Sequence, residues 1–183
     1  KITFPEIGNT ESKHIPMESS VQSTIILGKR LFSRNHPDFH KFLMTNTLLG
    51  GYFGSRLMKN IREEKGLTYG ISSSLQSNGH DGVFSIKADL KKEKVEEVIS
   101  EIEKEIDFLK NIPVSEDELS TVKNYINGNI LGGTNTIFDI MDKHKAIRYE
   151  ELPLDFYEKL GKTINAISPT DISNTAKQYL NDL

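Results

Sequence analysis

A change of hydrophobic period near residue 68 constrains the fold of this chain more strongly than any other feature of its sequence. From Thr68 to Leu90 apolar and polar residues alternate, as they do along strands, and the stretch "SNGHDG" between the two runs is typical of a hairpin turn. Apolar residues then recur at helical spacing, in the series Val95, Val98, Ile99, Ile102, Ile106 and Leu109. This succession predicts that the hairpin lies at the centre of an antiparallel sheet and that the helix covers one face of it.

The rest of the chain adds strands before the hairpin and helices on both sides of it. Segments 13–17 and 20–28 are predicted strands, and Pro16 confines the first of them to a sheet edge. A helix is predicted after Pro37 and another over about 54–65, ending at Gly66; later helices are predicted over 95–109, 115–131, 135–149, 154–166 and 169–180, with Ser115 and Glu118 as a capping box. We therefore predict an α+β fold with about four strands, as a single domain over residues 1–183 with an irregular lead-in over residues 1–12.

Composition excludes several classes of function. The chain has 23 Lys and Arg against 26 Asp and Glu, a net charge of −3, so no basic field favours nucleic acid. It has no cysteine, which excludes disulfides, thiolate ligands and a cysteine nucleophile. No apolar run approaches the ~20 residues of a membrane span. No signal peptide is visible, but the first residue is Lys1 rather than Met, so we expect a processed or truncated N-terminus and leave the compartment open.

The histidines do not form a recognisable metal site. His36 and His40 have the spacing of two ligands on one helix face, but Pro37 lies between them, and neither HExxH nor HxxEH occurs. His80 falls in the predicted turn. His144 lies on an apolar helical stripe, which favours a core or interface position over a ligand role; the stripe comprises Ile137, Ile140, Met141 and Ile147. We expect no metal and no cofactor to be held by this chain.

Arg62 and Tyr69 are the candidates for chemistry, within "REEKGLTY". Arg62 lies in the last turn of a predicted helix, and Tyr69 begins a predicted strand in which it shares a face with Ile71 and Leu75. The structural alternative is an Arg paired with a neighbouring carboxylate and a Tyr that packs on the strand. The functional alternative is a pair of hydrogen-bond donors for a carbonyl oxygen that gains charge. With reference pKa values of roughly 12.5–13.8 and about 10, neither is a nucleophile or base near neutral pH, so the pair would assist a reaction rather than perform it.

The sequence resembles a known family over most of its length, from about residue 21 to residue 180. The resemblance is carried by "VQSTIILG", by "LLGGYFGSRLMKNIREEKGLTYGISS" and by "PVSEDELSTVKNYINGNI". These stretches are similar to the C-terminal half-domain of the M16 zinc metallopeptidases, the group of pitrilysin, insulysin and the mitochondrial processing peptidase. Family members combine paired homologous α+β domains that close around a chamber.

The resemblance implies that the two halves have different roles in catalysis. The first half carries the inverted zinc motif HxxEH, and the second supplies an Arg and a Tyr in the spacing R-x6-Y, which Arg62 and Tyr69 match. These two residues would then donate hydrogen bonds to the scissile carbonyl of a peptide or protein substrate. Since this chain lacks HxxEH, we expect it to be inactive alone and to act with a zinc-binding half in the same polypeptide or in a separate subunit. It also stops where such half-domains run into a last strand, as a fragment would.

Two other interpretations remain open. The chain could be a non-catalytic assembly or structural protein of the same fold, since the family also contains such members; the Arg62 and Tyr69 pair argues against this, because a purely structural protein has no chemical need for it. More remotely, it could be a peptide-binding module that uses an exposed sheet edge. An HxxEH-bearing half encoded before Lys1 would decide in favour of the peptidase.

Overall fold

Three antiparallel strands and a set of helices make up the computed structural model, which describes residues 12–17, 20–77, 79, 81–181 and 183. The strands are β1 (Gln22–Leu31), β2 (Thr68–Ser77) and β3 (Gly82–Lys91), in the order β1-β3-β2. The helices are α1 (Phe39–Asn46), α2 (Val95–Asn111), α3 (Glu116–Gly132), α4 (Ile137–Tyr149), α5 (Phe156–Ala166) and α6 (Pro169–Tyr179). Two π-helical segments, Thr47–Gly51 and Met58–Glu64, lie between α1 and β2.

The core forms where the sheet and the amphipathic helix were predicted to meet, and the α+β class is confirmed. One face of β3 is fully buried, through Phe84, Ile86, Ala88 and Leu90. The stripe of α2 joins the same cluster through Val98, Ile102, Ile106 and Leu109, and the helix packs closely against α6. The hairpin is central only in part, because β3 is the middle strand whereas β2 is an outer strand of the sheet formed by the described residues.

The predicted first strand is wrong. Residues 13–17 are not part of any strand, and the apolar side chains of Ile15 and Met17 are 70% and 67% exposed. Pro16 provides no N–H for a ladder, and alternation over so short a segment buries too little apolar surface to order it. The sheet of the described residues therefore has three strands rather than about four. Most of the predicted lead-in, residues 1–11, and the predicted turn residue His80 lie outside the described residues.

The double glycine of "LLGGYFG" allows a helix to lie directly on β2. A Cβ atom on Gly50 would lie 2.6 Å from Ser73 Oγ and 2.7 Å from the Ser73 backbone nitrogen, so only glycine fits without a shift of the strand. Ser73 Oγ donates to the side-chain oxygen of Asn46 at 2.7 Å on the same contact. The glycine is needed for this close approach, and its own φ is not unusual.

Two predicted helix ends are confirmed, and one predicted capping interaction is wrong. Gly66 adopts φ +61°, the left-handed conformation expected after the helix that contains Arg62. Ser115 Oγ accepts from the backbone N–H of Glu118 at 3.2 Å and so begins α3. The Glu118 carboxylate does not complete a capping box; it accepts two hydrogen bonds from Arg56, at 2.7 and 2.8 Å.

The stripe of α4 is mostly exposed, so of the two positions predicted for His144, core or interface, the core position is excluded. Ile147 is buried, but Ile137, Ile140 and Met141 are 68%, 55% and 59% exposed, and His144 is exposed beside them. Helical periodicity shows only that apolar residues share a face; it cannot tell whether this chain or another covers that face. None of the helices within the described ranges is long and apolar enough to cross a membrane.

We predict that Ile102→Asp unfolds the protein or costs more than about 3 kcal/mol of unfolding free energy, because it places a charge in a fully buried site and leaves a cavity. Urea unfolding followed by circular dichroism measures the change. Phe108→Asp on the same helix is the control, since Phe108 is 48% exposed and the new carboxylate stays in water. Equal stability of the two variants would show that the stripe does not face the core.

Candidate functional site

The turn at Gly66 brings Arg62 to the start of β2. Leu67 N–H donates to Ile61 O at 2.9 Å, so the chain reverses within a few residues as it leaves the π-helical segment. Arg62 Nε then donates to the backbone carbonyl of Tyr69 at 3.1 Å. The two predicted site residues are therefore in contact, through the main chain of one and the side chain of the other. Among the residues that the structure describes, Arg62 has no carboxylate partner of the kind that the structural alternative requires.

A β-bulge turns the Tyr69 side chain out of the sheet. Thr68 faces Leu90 and Gly70 faces the adjacent Asp89, so Tyr69 is an extra residue with no partner on β3. The Thr68 hydroxyl stabilises the bulge, since it donates to Asp89 O at 2.6 Å and accepts from Gly70 N at 3.1 Å. Tyr69 is consequently 63% exposed, whereas Ile71 is 3% exposed. The prediction that Tyr69 shares a face with Ile71 is wrong for this reason.

Phe53 is a third member of the site that sequence reasoning missed. Its ring is 64% exposed, and the Arg62 guanidinium lies over it at 5.2 Å from the ring centre. Stacking on an aromatic face orients the planar guanidinium while leaving its outer nitrogens free to donate. Within the described part of the chain, Nε is the only Arg62 nitrogen with a hydrogen-bond partner. A signal existed in the sequence, since Phe53 lies between the two glycines Gly51 and Gly54 and outside any apolar stripe.

Two buried carboxylates of α2 hold the segment that carries Arg62. Asn60 donates to Glu105 at 2.7 Å and to Glu101 at 3.3 Å, and Lys65 forms an ion pair with Glu101. Glu101 and Glu105 are 7% and 9% exposed. Hydrogen bonds from Lys104 and then Lys65 hold the pKa of Glu101 at about 2, whereas burial raises the pKa of Glu105. The carboxylates thus attach both flanks of Arg62 to the core helix.

Glu101 and Glu105 form a clamp on the Arg62 segment, which helical spacing could have revealed. Glu101 and Glu105 occur four residues apart and fall within the same arc of α2 as Val98, Ile102 and Ile106. A charged residue inside a buried arc demands a partner, because an unpaired buried charge is costly. The partners in the Arg62 segment, Asn60 and Lys65, however, lie about 40 residues earlier in the chain, and nothing in the sequence specifies them.

The histidines that suggested a metal have other contacts. His36 lies outside α1, stacks on Phe32 with ring centres 4.1 Å apart and accepts from the Asp38 backbone N–H at 3.1 Å. His40 lies within α1 and packs against Phe156 at 4.7 Å, and burial lowers its pKa. Among the described residues no group of three or more His, Cys, Asp or Glu could hold a metal ion. The residues described here therefore do not fit a zinc site.

The arrangement places hydrogen-bond donors on backbone segments that are held in place. Tyr69 is exposed at the bulge, and the clamped segment holds Arg62 beside it, so both side chains present hydrogen-bond donors at the start of β2. Donors fixed in advance stabilise charge on an acceptor oxygen without reorganisation. Donors of this kind can polarise a carbonyl oxygen but cannot attack its carbon.

Comparison with known proteins identifies the family of the chain. The profile of the family described as "Peptidase M16 inactive domain" matches residues 2–126, which is more than half of the chain. The chain therefore belongs to the M16 peptidase family and is a domain of its inactive type.

The relatives are longer proteins. An "uncharacterized zinc protease" of Streptomyces coelicolor is 25% identical over 87% of this chain and 35% of its own length. A "non-peptidase homolog" of Helicobacter pylori is 26% identical over 97% of this chain and 42% of its own length. The crystal structure of a peptidase M16 inactive domain from Pseudomonas fluorescens superposes with a TM-score of 0.80 at 27% identity, over 88% of this chain and 39% of that one. The chain thus spans less than half the length of each of these three proteins.

The pKa of Glu101 predicts an acid dependence of stability. The pKa of a Glu in the unfolded chain is about 4.3, and the pKa of Glu101 in the folded protein is about 2. Between these two pH values the unfolded chain binds a proton at Glu101 that the folded protein does not. The free energy of unfolding therefore falls as the pH is lowered through this window. We expect Glu101→Gln to be less stable than the wild type at neutral pH, and this difference to narrow as the pH falls through that window. Urea unfolding at a series of pH values measures it.

Glu96→Gln is the matched control, because Glu96 is exposed on the same helix. Its stability should differ little from that of the wild type, because an exposed carboxylate contributes little to stability. A Glu101→Gln difference that is equally large at both ends of the window would show that the carboxylate charge does not hold this clamp.

Proposed function

We propose that residues 1–183 form a single accessory half-domain of an M16 zinc metalloendopeptidase, which supplies Arg62 and Tyr69 as donors to the substrate carbonyl and closes the catalytic chamber. The observation that carries the proposal is the bulge at Tyr69 with the guanidinium of Arg62 bonded to its carbonyl. A Tyr that only packed on the strand would follow the alternation of β2 into the core. The membership of the M16 family supplies the reaction class, hydrolysis of a peptide bond.

The two residues would act when the carbonyl gains charge. As a nucleophile from the other half adds to the carbonyl carbon, its oxygen takes up the electron pair of the double bond. The Tyr69 hydroxyl and the outer nitrogens of Arg62 would shorten their hydrogen bonds to that oxygen. Fixed donors favour the charged intermediate over the neutral substrate, and this difference accelerates the step. Zinc, bound by the HxxEH half, would supply the nucleophile.

The exposed face of α4 supports the presence of a covering partner, which we propose is the HxxEH-bearing half. The face is apolar, with five side chains more than half exposed: Leu131 at the end of α3, and Ile137, Phe138, Ile140 and Met141. Contiguous apolar surface of this kind marks interaction sites. This chain spans 35% of the length of the Streptomyces relative, so most of such a protein is available to cover it.

A structural role without catalysis is the second candidate. The Helicobacter pylori relative, which matches 97% of this chain, is called a non-peptidase homolog. In such a protein the donors of the site would serve the packing of β2, and the apolar face of α4 would serve assembly. The loss or retention of activity in the variants below separates the two functions.

Tyr69→Phe is expected to lower kcat by about 10²–10³ in the enzyme formed with the HxxEH half, in one polypeptide or in trans, because it removes one donor and little else. Arg62→Lys keeps the charge but loses the planar fork, and it should also lower kcat strongly. Peptide cleavage, unfolding and zinc content are measured together. The loss in kcat should come without a change in stability or in zinc bound by the other half.

Tyr149→Phe and Arg148→Lys are chemically matched controls, since both residues are exposed near the end of α4, away from the bulge. Their kcat should equal that of the wild type. Wild-type kcat in both Tyr69→Phe and Arg62→Lys would reject the catalytic role and favour the structural protein.

Phe138→Asp tests the proposed covering of α4. Phe138 is 73% exposed, so the substitution should leave the isolated chain folded but weaken its association with the HxxEH half at least about tenfold, as expected for a buried aromatic anchor. Analytical ultracentrifugation of the two halves measures the affinity. Phe108→Asp on α2 is the matched control, and equal affinities of the two variants would place the interface elsewhere.

A further inference from the structure

Phe53 is an exposed aromatic residue that lies outside the hydrophobic core formed by the described residues. Its ring is 64% exposed and belongs to neither of the two buried clusters. The guanidinium of Arg62 lies over this ring, with 5.2 Å between its carbon and the ring centre. The ring therefore contacts a proposed donor of the site rather than the core.

The loop that carries Phe53 is attached to α3 on both sides. Tyr52 packs on Tyr125 of this helix, with ring centres 4.7 Å apart. Arg56 donates two hydrogen bonds to the carboxylate of Glu118, also on α3, at 2.7 and 2.8 Å. Helix α3 itself contributes to the main buried cluster. The backbone of Phe53, which lies between these two attachments, is therefore positioned by a long core helix.

The hydrogen bond to β2 leaves one freedom of the Arg62 guanidinium unrestrained. Arg62 Nε donates to Tyr69 O at 3.1 Å, and this bond fixes a single point of the planar group. The plane can still rotate about the axis of that bond, which would carry the outer nitrogens through many orientations. An aromatic face attracts a cation placed over it, so the ring of Phe53 favours one orientation of the guanidinium.

We propose that Phe53 is a positioning residue, which acts through Arg62 and sets the orientation of its outer nitrogens for the reaction. The inference rests on the proposed function, in which Arg62 donates to the substrate carbonyl. Donors that are oriented in advance stabilise developing charge without reorganisation, and a displacement of about 1 Å can cost a factor of about 10² in rate. Loss of the ring therefore lowers kcat and leaves KM nearly unchanged.

An exposed ring at a site could instead bind a side chain of the substrate. Such a contact is made before the reaction as well as during it, so its loss raises KM and leaves kcat unchanged. The two roles also differ in their dependence on Arg62. A positioning residue has an effect only while the residue that it positions is present, whereas a direct contact with the substrate does not depend on Arg62.

The first measurement observes Arg62 by NMR of the 183-residue chain and uses no catalysis. In the wild type, the ring current of Phe53 should shift the side-chain protons of Arg62 upfield, and the Nε–H group should be ordered. Phe53→Leu keeps an apolar side chain without a ring, so the upfield shift should disappear and the order parameter at Nε should fall. Phe53→Trp provides the best aromatic face for a cation and should retain both signals.

Phe108→Leu is the matched control, because it removes another exposed ring, from α2. It should change neither the chemical shifts nor the order parameter of Arg62.

The second measurement is a double-mutant cycle in the enzyme formed with the HxxEH half. Phe53→Leu should lower kcat about fivefold, with KM within about twofold of the wild type, and Phe53→Trp should keep at least about half of the wild-type kcat. In an Arg62→Ala background, Phe53→Leu should change kcat less than about twofold, because no guanidinium remains to be oriented.

Three results would overturn the proposal: Arg62 signals that are the same in Phe53→Leu and the wild type, a loss of kcat on Phe53→Leu that is equal with and without Arg62, or a rise in KM alone. Wild-type kcat in Arg62→Lys would reject the donor role, and this inference with it. A large loss of kcat in Arg62→Lys together with wild-type kcat in Phe53→Leu would reject the positioning role alone.

Discussion

The buried carboxylates of Glu101 and Glu105 are the constraint on which the site depends. They lie on a core helix, and the short π-helical segment with Arg62 is attached to them through Asn60 and Lys65. Burial would make such carboxylates costly if they were unpaired. The same pairing that satisfies them therefore fixes the backbone on both sides of Arg62. A segment of seven residues with poor helical geometry gains a defined position in this way.

Three features of strand β2 and its neighbours set the surroundings of the site. Gly50 lets the preceding segment approach the strand backbone within a distance that a side chain would forbid. The bulge turns Tyr69 away from the core, where the alternation of the strand would have placed it. The ring of Phe53 lies against the guanidinium of Arg62. The bulge costs some sheet stability, since it weakens pairing, and such costs are typically found at functional sites.

Membership of the inactive M16 domain type gives these features a common interpretation. A domain without a metal site or nucleophile can still accelerate a reaction if it stabilises charge that develops on a substrate held by another domain. Donors must then be rigid and exposed. The clamp holds the segment that carries Arg62, and the bulge leaves Tyr69 exposed. The exposed apolar residues of α4 form the surface that we propose the other half covers.

The sequence by itself determined the class of fold, the hairpin and its following helix, the turn at Gly66 and the Arg62 and Tyr69 pair, because these depend on local periodicity, on turn residues and on one compact motif. It predicted the buried faces of β3 and α2 correctly, since each is a regular apolar pattern within one element. Only the tertiary structure decided that Tyr69 is exposed, which carboxylates hold the segment that carries Arg62 and that Arg62 lies over the ring of Phe53. It also decided that the stripe of α4 is exposed and that residues 13–17 join no strand. These features depend on partners distant in the sequence, and the period of a segment does not specify what, if anything, will cover it.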